Sequence, residues 1–180
     1  MTQSKDQIVL VRNMHWGTTV GGAFQRSYVY EKGVSDKSKR IFRMDLRLEL
    51  EATELDYSNS DIDHSTHIKN ISRLQKWSEK HEDILNNGRL NFGISQKLLN
   101  LHLKGVWCLG FIKYPPPHFP VDRIIQERLR IKPIVPWTKI ENDKAYNEII
   151  SKAKIIAEKY NVGLAELELR VYNNTLKIEK

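Results

Sequence analysis

The chain has 180 residues, 40% of them hydrophobic and 28% charged, and a net charge of +7. That length suits a single domain, 1–180, able to bury about 70% of the surface its unfolded form exposes, and the composition excludes a disordered, collagenous or disulfide-stapled chain. Met1 to Asp6 is polar and the apolar stretch Ile8 to Val11 is short, so no signal peptide or membrane span is expected and the protein is expected in the cytoplasm.

Along the chain, the first thirty residues hold Trp16, the pair Gly21-Gly22, Phe24, Tyr28 and Tyr30 without a clear period. In Lys37 to Asp56, Met44, Leu46, Leu48 and Leu50 alternate as in a strand, but the surrounding Leu, Glu, Arg and Ala favour a helix, which is the expectation here. Ser58 to Ser65 reads as a polar turn. Ile68, Ile71, Leu74 and Trp77 then recur at helical spacing, and Asn86-Asn87-Gly88 closes that region. Ser95 is the predicted N-cap of a central helix bearing Leu98, Leu101, Leu103, Val106, Trp107 and Leu109, ended by Gly110. The single cysteine, Cys108, lies in this apolar run, and the expectation is a buried thiol in a reducing compartment.

Pro115 to Pro120 must be extended, because proline lacks a donor and forces its predecessor out of the helical region. Asp122 is placed to cap a helix carrying Ile124, Ile125, Arg128 and Leu129. Asp143 is placed to cap one that buries Tyr146, Ile149, Ile150, Ala153, Ile156, Ala157 and Tyr160. A last helix is predicted from about Leu164 to Tyr172, after the break Asn161-Val162-Gly163. The expected class is all-α or nearly so: a compact multi-helix domain.

The charge is localised. Between Leu85 and Ile140 stand Arg89, Lys97, Lys104, Lys113, Arg123, Arg128, Arg130, Lys132 and Lys139, against only Asp122 and Glu127. Elsewhere twenty basic and twenty acidic residues cancel. An excess confined to one segment points to a polyanionic partner, with a merely solvated basic face as the other reading.

The residues singled out for chemistry are Lys97 and Asp122, each expected at the start of a helix, where free N–H groups and the dipole favour phosphate. Burial and a helix N-terminus both lower a lysine pKa and free its lone pair, while a carboxylate beside it takes a proton or stabilises a developing cation. That pairing suits attack on the anomeric carbon of a nucleotide whose base is leaving.

The stretch Phe92-Gly93-Ile94-Ser95-Gln96-Lys97, followed by Phe119-Pro120-Val121-Asp122-Arg123 and Arg128, resembles the helix–hairpin–helix DNA glycosylase superfamily, in its archaeal 8-oxoguanine members above all. The resemblance covers roughly forty central residues. It implies a helix–hairpin–helix-like centre, base flipping, excision of a modified or damaged base, and an AP-lyase step. It also implies that hairpin amides from Gly93, Ile94, Ser95 and Gln96 hold a DNA phosphate, that Lys97 is the nucleophile and that Asp122 is essential. Arg89, Lys104 and Arg123 are expected to grip the backbone. Ser95 stands where that family has its second hairpin glycine, no Leu-Pro opens the turn, Lys97 and Asp122 are 25 residues apart, and no cysteines follow that could hold an iron–sulfur cluster.

Trp137, in the basic loop Lys132 to Lys139, and His118, in the proline arm, are candidates for a base pocket. Asp61, Asp63, His64 and His67 have a spacing that could reach a metal, but a polar helix entry explains them, and neither metal nor cofactor is expected. Glu166 and Glu168 form no convincing nuclease set with Asp122. DNA is the expected partner, with no membrane and no obligate protein partner. The alternative is a non-catalytic DNA-binding or adaptor protein using the same basic surface. What separates the two is whether Lys97 and Asp122 face one cleft.

Overall fold

The computed structural model describes residues 4–179, and among them the architecture is helical, with one isolated antiparallel bridge, Tyr30 to Leu85. Seven α-helices follow in order: α1 Lys5–Phe24, α2 Asp36–Asn59, α3 His64–Trp77, α4 Phe92–Cys108, α5 Arg123–Arg128, α6 Asp143–Lys159 and α7 Leu164–Tyr172. Short 3₁₀ turns at Ser78–His81, Asn86–Gly88 and Trp137–Lys139 link them. No helix among the described residues is long and apolar enough to cross a membrane.

Helix α4 is the axle. Twelve of its seventeen residues are buried, as expected of a helix apolar around most of its circumference. It is packed by α1, α2, α3 and the Trp137–Lys139 turn, while α5 and α6 lean on α7. One hydrophobic cluster runs through all of these, from Ala23 and Phe42 to Leu98, Leu103, Tyr146 and Leu167.

Helix α1 carries little apolar periodicity because it meets α4 through small residues. A Cβ on Gly22 would come within 3.0 Å of Leu101, and one on Gly105 within 2.0 Å of the His15 ring. Its start is fixed by a capping box: the Ser4 hydroxyl accepts from Gln7 N–H while the Gln7 side chain accepts from Ser4 N–H. The strand-like alternation of α2 dissolves on a helix. Leu46 and Leu50, four apart, are buried, whereas Met44 and Leu48 are exposed on the other side.

The central helix starts earlier than expected. Its N-cap is Asn91, whose side chain accepts from Ile94 N–H at 2.8 Å and donates to Thr138 O at 2.9 Å. Ser95 is instead inside the first turn, fully buried, with its hydroxyl donating to Asn91 O. The expected hairpin segment Phe92–Gln96 is therefore helical. Gly110 does end the helix region, at φ +76°. Cys108 departs from expectation too. It lies in the last turn as an exposed residue, with its sulfur only partly covered.

Candidate active site

Lys97 and Asp122 meet. The Lys97 amine is 3.5 Å from Asp122 Oδ2, with side chains 10% and 27% exposed. Both border a cavity of about 450 Å³, walled by α1 (Thr18, Gly22), α4 (Lys97, Lys104) and α7 (Glu168). A larger cavity, about 780 Å³, contains neither of the pair.

Each member is held from its own element. Lys97 is the sixth residue of α4, in its second turn and not at the helix start expected for it; it lies above the Trp137 ring at 4.4 Å, an arrangement that attracts the ammonium form. Burial works the other way and prevails: it takes the amine below the ordinary lysine range, against the opposing charge of Asp122. Asp122 divides its oxygens. Oδ1 accepts from Ile125 N–H at 3.1 Å, capping α5, and Oδ2 faces Lys97.

The backbone just before Asp122 is clamped by Gln96. Its side chain donates to Val121 O at 2.9 Å and accepts from Val121 N–H at 3.1 Å, with Gln96 and Val121 both fully buried. Asn100, one turn on, donates to Gln96 Oε1 and to the Tyr146 hydroxyl. Its oxygen accepts from His67 Nε2 at 3.0 Å, and His67 Nδ1 in turn accepts from the Tyr57 hydroxyl at 2.8 Å. Tyr146 hydrogen-bonds His118, which meets His64 at 2.6 Å. A chain of polar groups therefore ties α2, α3, α4, the proline arm and α6 together behind the Lys97–Asp122 pair. No motif in the sequence announced it; the one available cue was the recurrence of Gln96 and Asn100 one turn apart on an otherwise apolar helix.

The other expected site residues divide. Lys104 lines the same cavity and pairs with buried Glu168, at 2.8 Å and 2.7 Å to its two oxygens. Burial raises the Glu168 carboxyl above its ordinary range, with Lys104 opposing. Trp137 is buried under Lys97, at the pair but not on the cavity wall. His118 is 1% exposed inside the polar chain, so it cannot serve as a base-pocket wall in this arrangement. Arg123 is exposed and paired with Glu127 at 2.7 Å. Arg89 is exposed, paired with Glu79 at 3.0 Å, and borders the larger cavity.

The amides expected to hold phosphate are already engaged. Gly93 N–H donates to Ile140 O at 2.9 Å, Ile94 N–H to the Asn91 side chain and Ser95 N–H to Asn91 O. Gly93, Ile94, Ser95 and Gln96 are all buried. Gly93 is a packing glycine, since a Cβ there would fall 1.7 Å from Trp137 O. Asp63 caps α3, and among the described residues no three His, Cys, Asp or Glu side chains are gathered to hold a metal. Compared with known proteins, the chain matches no family model, no curated protein and no solved structure.

Proposed function

We propose that the protein is a DNA N-glycosylase with a lyase step, using Lys97 as nucleophile and Asp122 as its carboxylate partner. The observation that carries this reading is the meeting of the pair, 3.5 Å apart on the wall of one cavity, with burial lowering the lysine pKa. Two residues 25 apart in sequence, singled out for their chemistry, share one site.

The extruded nucleotide enters the cavity, because C1′ cannot be reached inside the base stack. The neutral Lys97 amine forms a bond to C1′ as the C1′–N bond breaks, and that bonding pair leaves with the base, which takes a proton. The attached nitrogen gives one proton to Asp122, Asp122 passes it to O4′ as the C1′–O4′ bond breaks and the ring opens, and a protonated imine results. Loss of a C2′ proton then expels the 3′ phosphate and cuts the strand. Asp122 stabilises the positive charge that grows on the sugar and then on the nitrogen.

The test is base release and strand cleavage on DNA carrying oxidised purines, and on viral DNA with altered cytosines. Lys97→Gln should lose both reactions while retaining DNA binding. Asp122→Asn keeps the capping oxygen, so it should fold normally and lose excision by roughly a hundredfold or more. If the parent releases no base from any of these DNAs, the enzyme reading fails and the basic surface belongs to an inert DNA-binding protein.

A further inference from the structure

Most of the residues expected to grip DNA are spoken for. The Gly93–Gln96 amides are buried and bonded, Lys104 faces Glu168 and Arg123 faces Glu127. A glycosylase still needs a surface for the strand that carries the extruded nucleotide, and the larger cavity offers one. It measures about 780 Å³ and is walled by the α1–α2 connection, the Asn86–Asn91 turn and the Thr138–Asn142 loop. Its charged lining is Arg26, Arg89 and Lys139 against the single acid Glu141.

Three further features favour a strand of nucleic acid there. Asn91 and Asn142, the N-caps of α4 and α6, both line the cavity, so two seventeen-residue helices turn their positive ends towards it. Tyr28, also on its wall, is 91% exposed, an aromatic ring held on the surface with nothing over it. The segment that carries Tyr28 is pinned: Asn86 N–H donates to Val29 O at 2.9 Å, Glu31 N–H to Ile84 O at 3.0 Å, and the Asn86 side chain to Tyr28 O at 3.1 Å. A fixed, exposed aromatic beside cations is the pattern of a base-stacking platform on a phosphate track.

The two cavities are lined by residues that neighbour one another in the chain. Gln25 borders the Lys97 cavity and Arg26 the larger one, while Ile94, one turn before Lys97, lines the larger one. Trp137 lies under Lys97, and its successors Thr138 and Lys139 line the larger cavity.

We infer that the larger cavity is the track for the DNA strand flanking the extruded nucleotide, with Arg26 and Lys139 on its phosphates, Arg89 joining them by exchanging its Glu79 partner for a phosphate, and Tyr28 stacked on a base left exposed by the extrusion. This inference rests on the glycosylase reading. Two of its four residues, Arg26 and Tyr28, lie outside the basic segment Leu85–Ile140.

The test uses the full chain and a short duplex holding a tetrahydrofuran abasic analogue, with binding followed by fluorescence anisotropy across a salt series. Arg26→Glu and Lys139→Glu should each weaken binding and lower the slope of log K against log salt by about 1. Lys154→Glu, the same charge change on an exposed face of α6 that borders neither cavity, should weaken binding much less. Tyr28→Ala should cost roughly tenfold. All four positions are exposed, and circular dichroism checks that each variant is folded. If Arg26→Glu and Lys139→Glu bind no worse than Lys154→Glu, the strand does not run here. In that case, parent-like borohydride trapping of the same variants on a natural abasic duplex would leave the chemistry of Lys97 standing. A Tyr28→Ala that binds like the parent removes the stacking platform, and a parent that binds no DNA overturns both readings.

Discussion

Two hydrogen bonds from one side chain hold the Pro-Val-Asp tripeptide against α4. Gln96 satisfies both the N–H and the C=O of Val121, in a place no water reaches. Gln96→Leu would strand both groups, at about 1–3 kcal/mol for each unpaired group, and would free the backbone that sets Asp122 opposite Lys97. Denaturant unfolding should show the loss of stability. Imine trapping should slow at saturating DNA, with little change in binding affinity. Gln96→Glu keeps an acceptor for Val121 N–H and should recover part of the rate; equal, parent-like trapping in both variants would deny Gln96 any positioning role.

The buried histidines make stability depend on pH. Burial holds His67 at about 3, despite the raising influence of Asn100, and lowers His118 further, with the neighbouring His67 and His64 adding to it. His15 is held at about 4, first by burial and then by the charge of His102. The unfolded chain would protonate all three near 6.5, so it binds protons that the folded state refuses. Stability is thus complete above about pH 6.5 and is lost progressively as pH falls towards the folded values. Glu54 adds to this at lower pH. Burial pushes its carboxyl up, but the bonds from His102 and Arg12 outweigh that and bring it to about 2 from 4.5, so its contribution disappears below about pH 4.5. The midpoint of thermal unfolding should therefore already drop between about pH 7 and about pH 5, and His67→Gln should flatten that early decline. A flat profile over that interval would contradict the buried, neutral histidines.

At the scale of elements, legibility followed the mode of packing. Helices α3 and α6 bury apolar residues at helical spacing, and the periodicity showed them; α7, read from the break Asn161-Val162-Gly163 before it, spans the residues expected of it, Leu164–Tyr172. Helix α1 escaped because glycines and a histidine, rather than a leucine stripe, form its seam with α4. Its capping box, Ser4 with Gln7, was the available cue. The start of α4 was misplaced by one turn because Ser95 and Asn91 are both good caps, and only the tertiary bond from Asn91 to Thr138 O decides between them. Asp122, as the cap of α5, was legible because a proline arm leaves the next helix one possible beginning. Cys108 shows the limit of local apolarity: its run is hydrophobic, yet it occupies the last turn of α4, at the rim of the Lys97 cavity. A maleimide should therefore label Cys108 in the native chain without denaturant, slowed by the raised thiol pKa that burial of the sulfur produces. The bulky adduct should reduce base excision. Labelling only after denaturation would place the thiol inside the core.

For the whole molecule, the surplus charge was legible as a quantity but not as a surface. Charge counting assigned the excess to Leu85–Ile140, yet folding neutralises Lys104 and Arg123 against acids from α7 and α5 and adds Arg26 from the α1–α2 connection to the open cleft. The meeting of Lys97 and Asp122 is the reverse case. Residue chemistry and a family resemblance paired them across 25 positions, and the fold brings them to 3.5 Å. The polar chain from Tyr57 to His64 that braces them was illegible, since its members are spread over four helices and the proline arm. Buried networks of this kind fix one arrangement only when every member is satisfied.

Under the proposed chemistry, Lys97 forms a covalent imine with the sugar. The most direct measurement is borohydride reduction of the protein mixed with a duplex containing a natural abasic site, followed by mass spectrometry of the cross-linked peptide. An abasic site supplies the sugar directly, so the identity of any excised base does not enter. A single adduct should form on Lys97, absent from Lys97→Gln and strongly slowed in Asp122→Asn, with DNA binding retained in both. An adduct that forms at the parent rate in Lys97→Gln, or that maps to another amine, would contradict that chemistry.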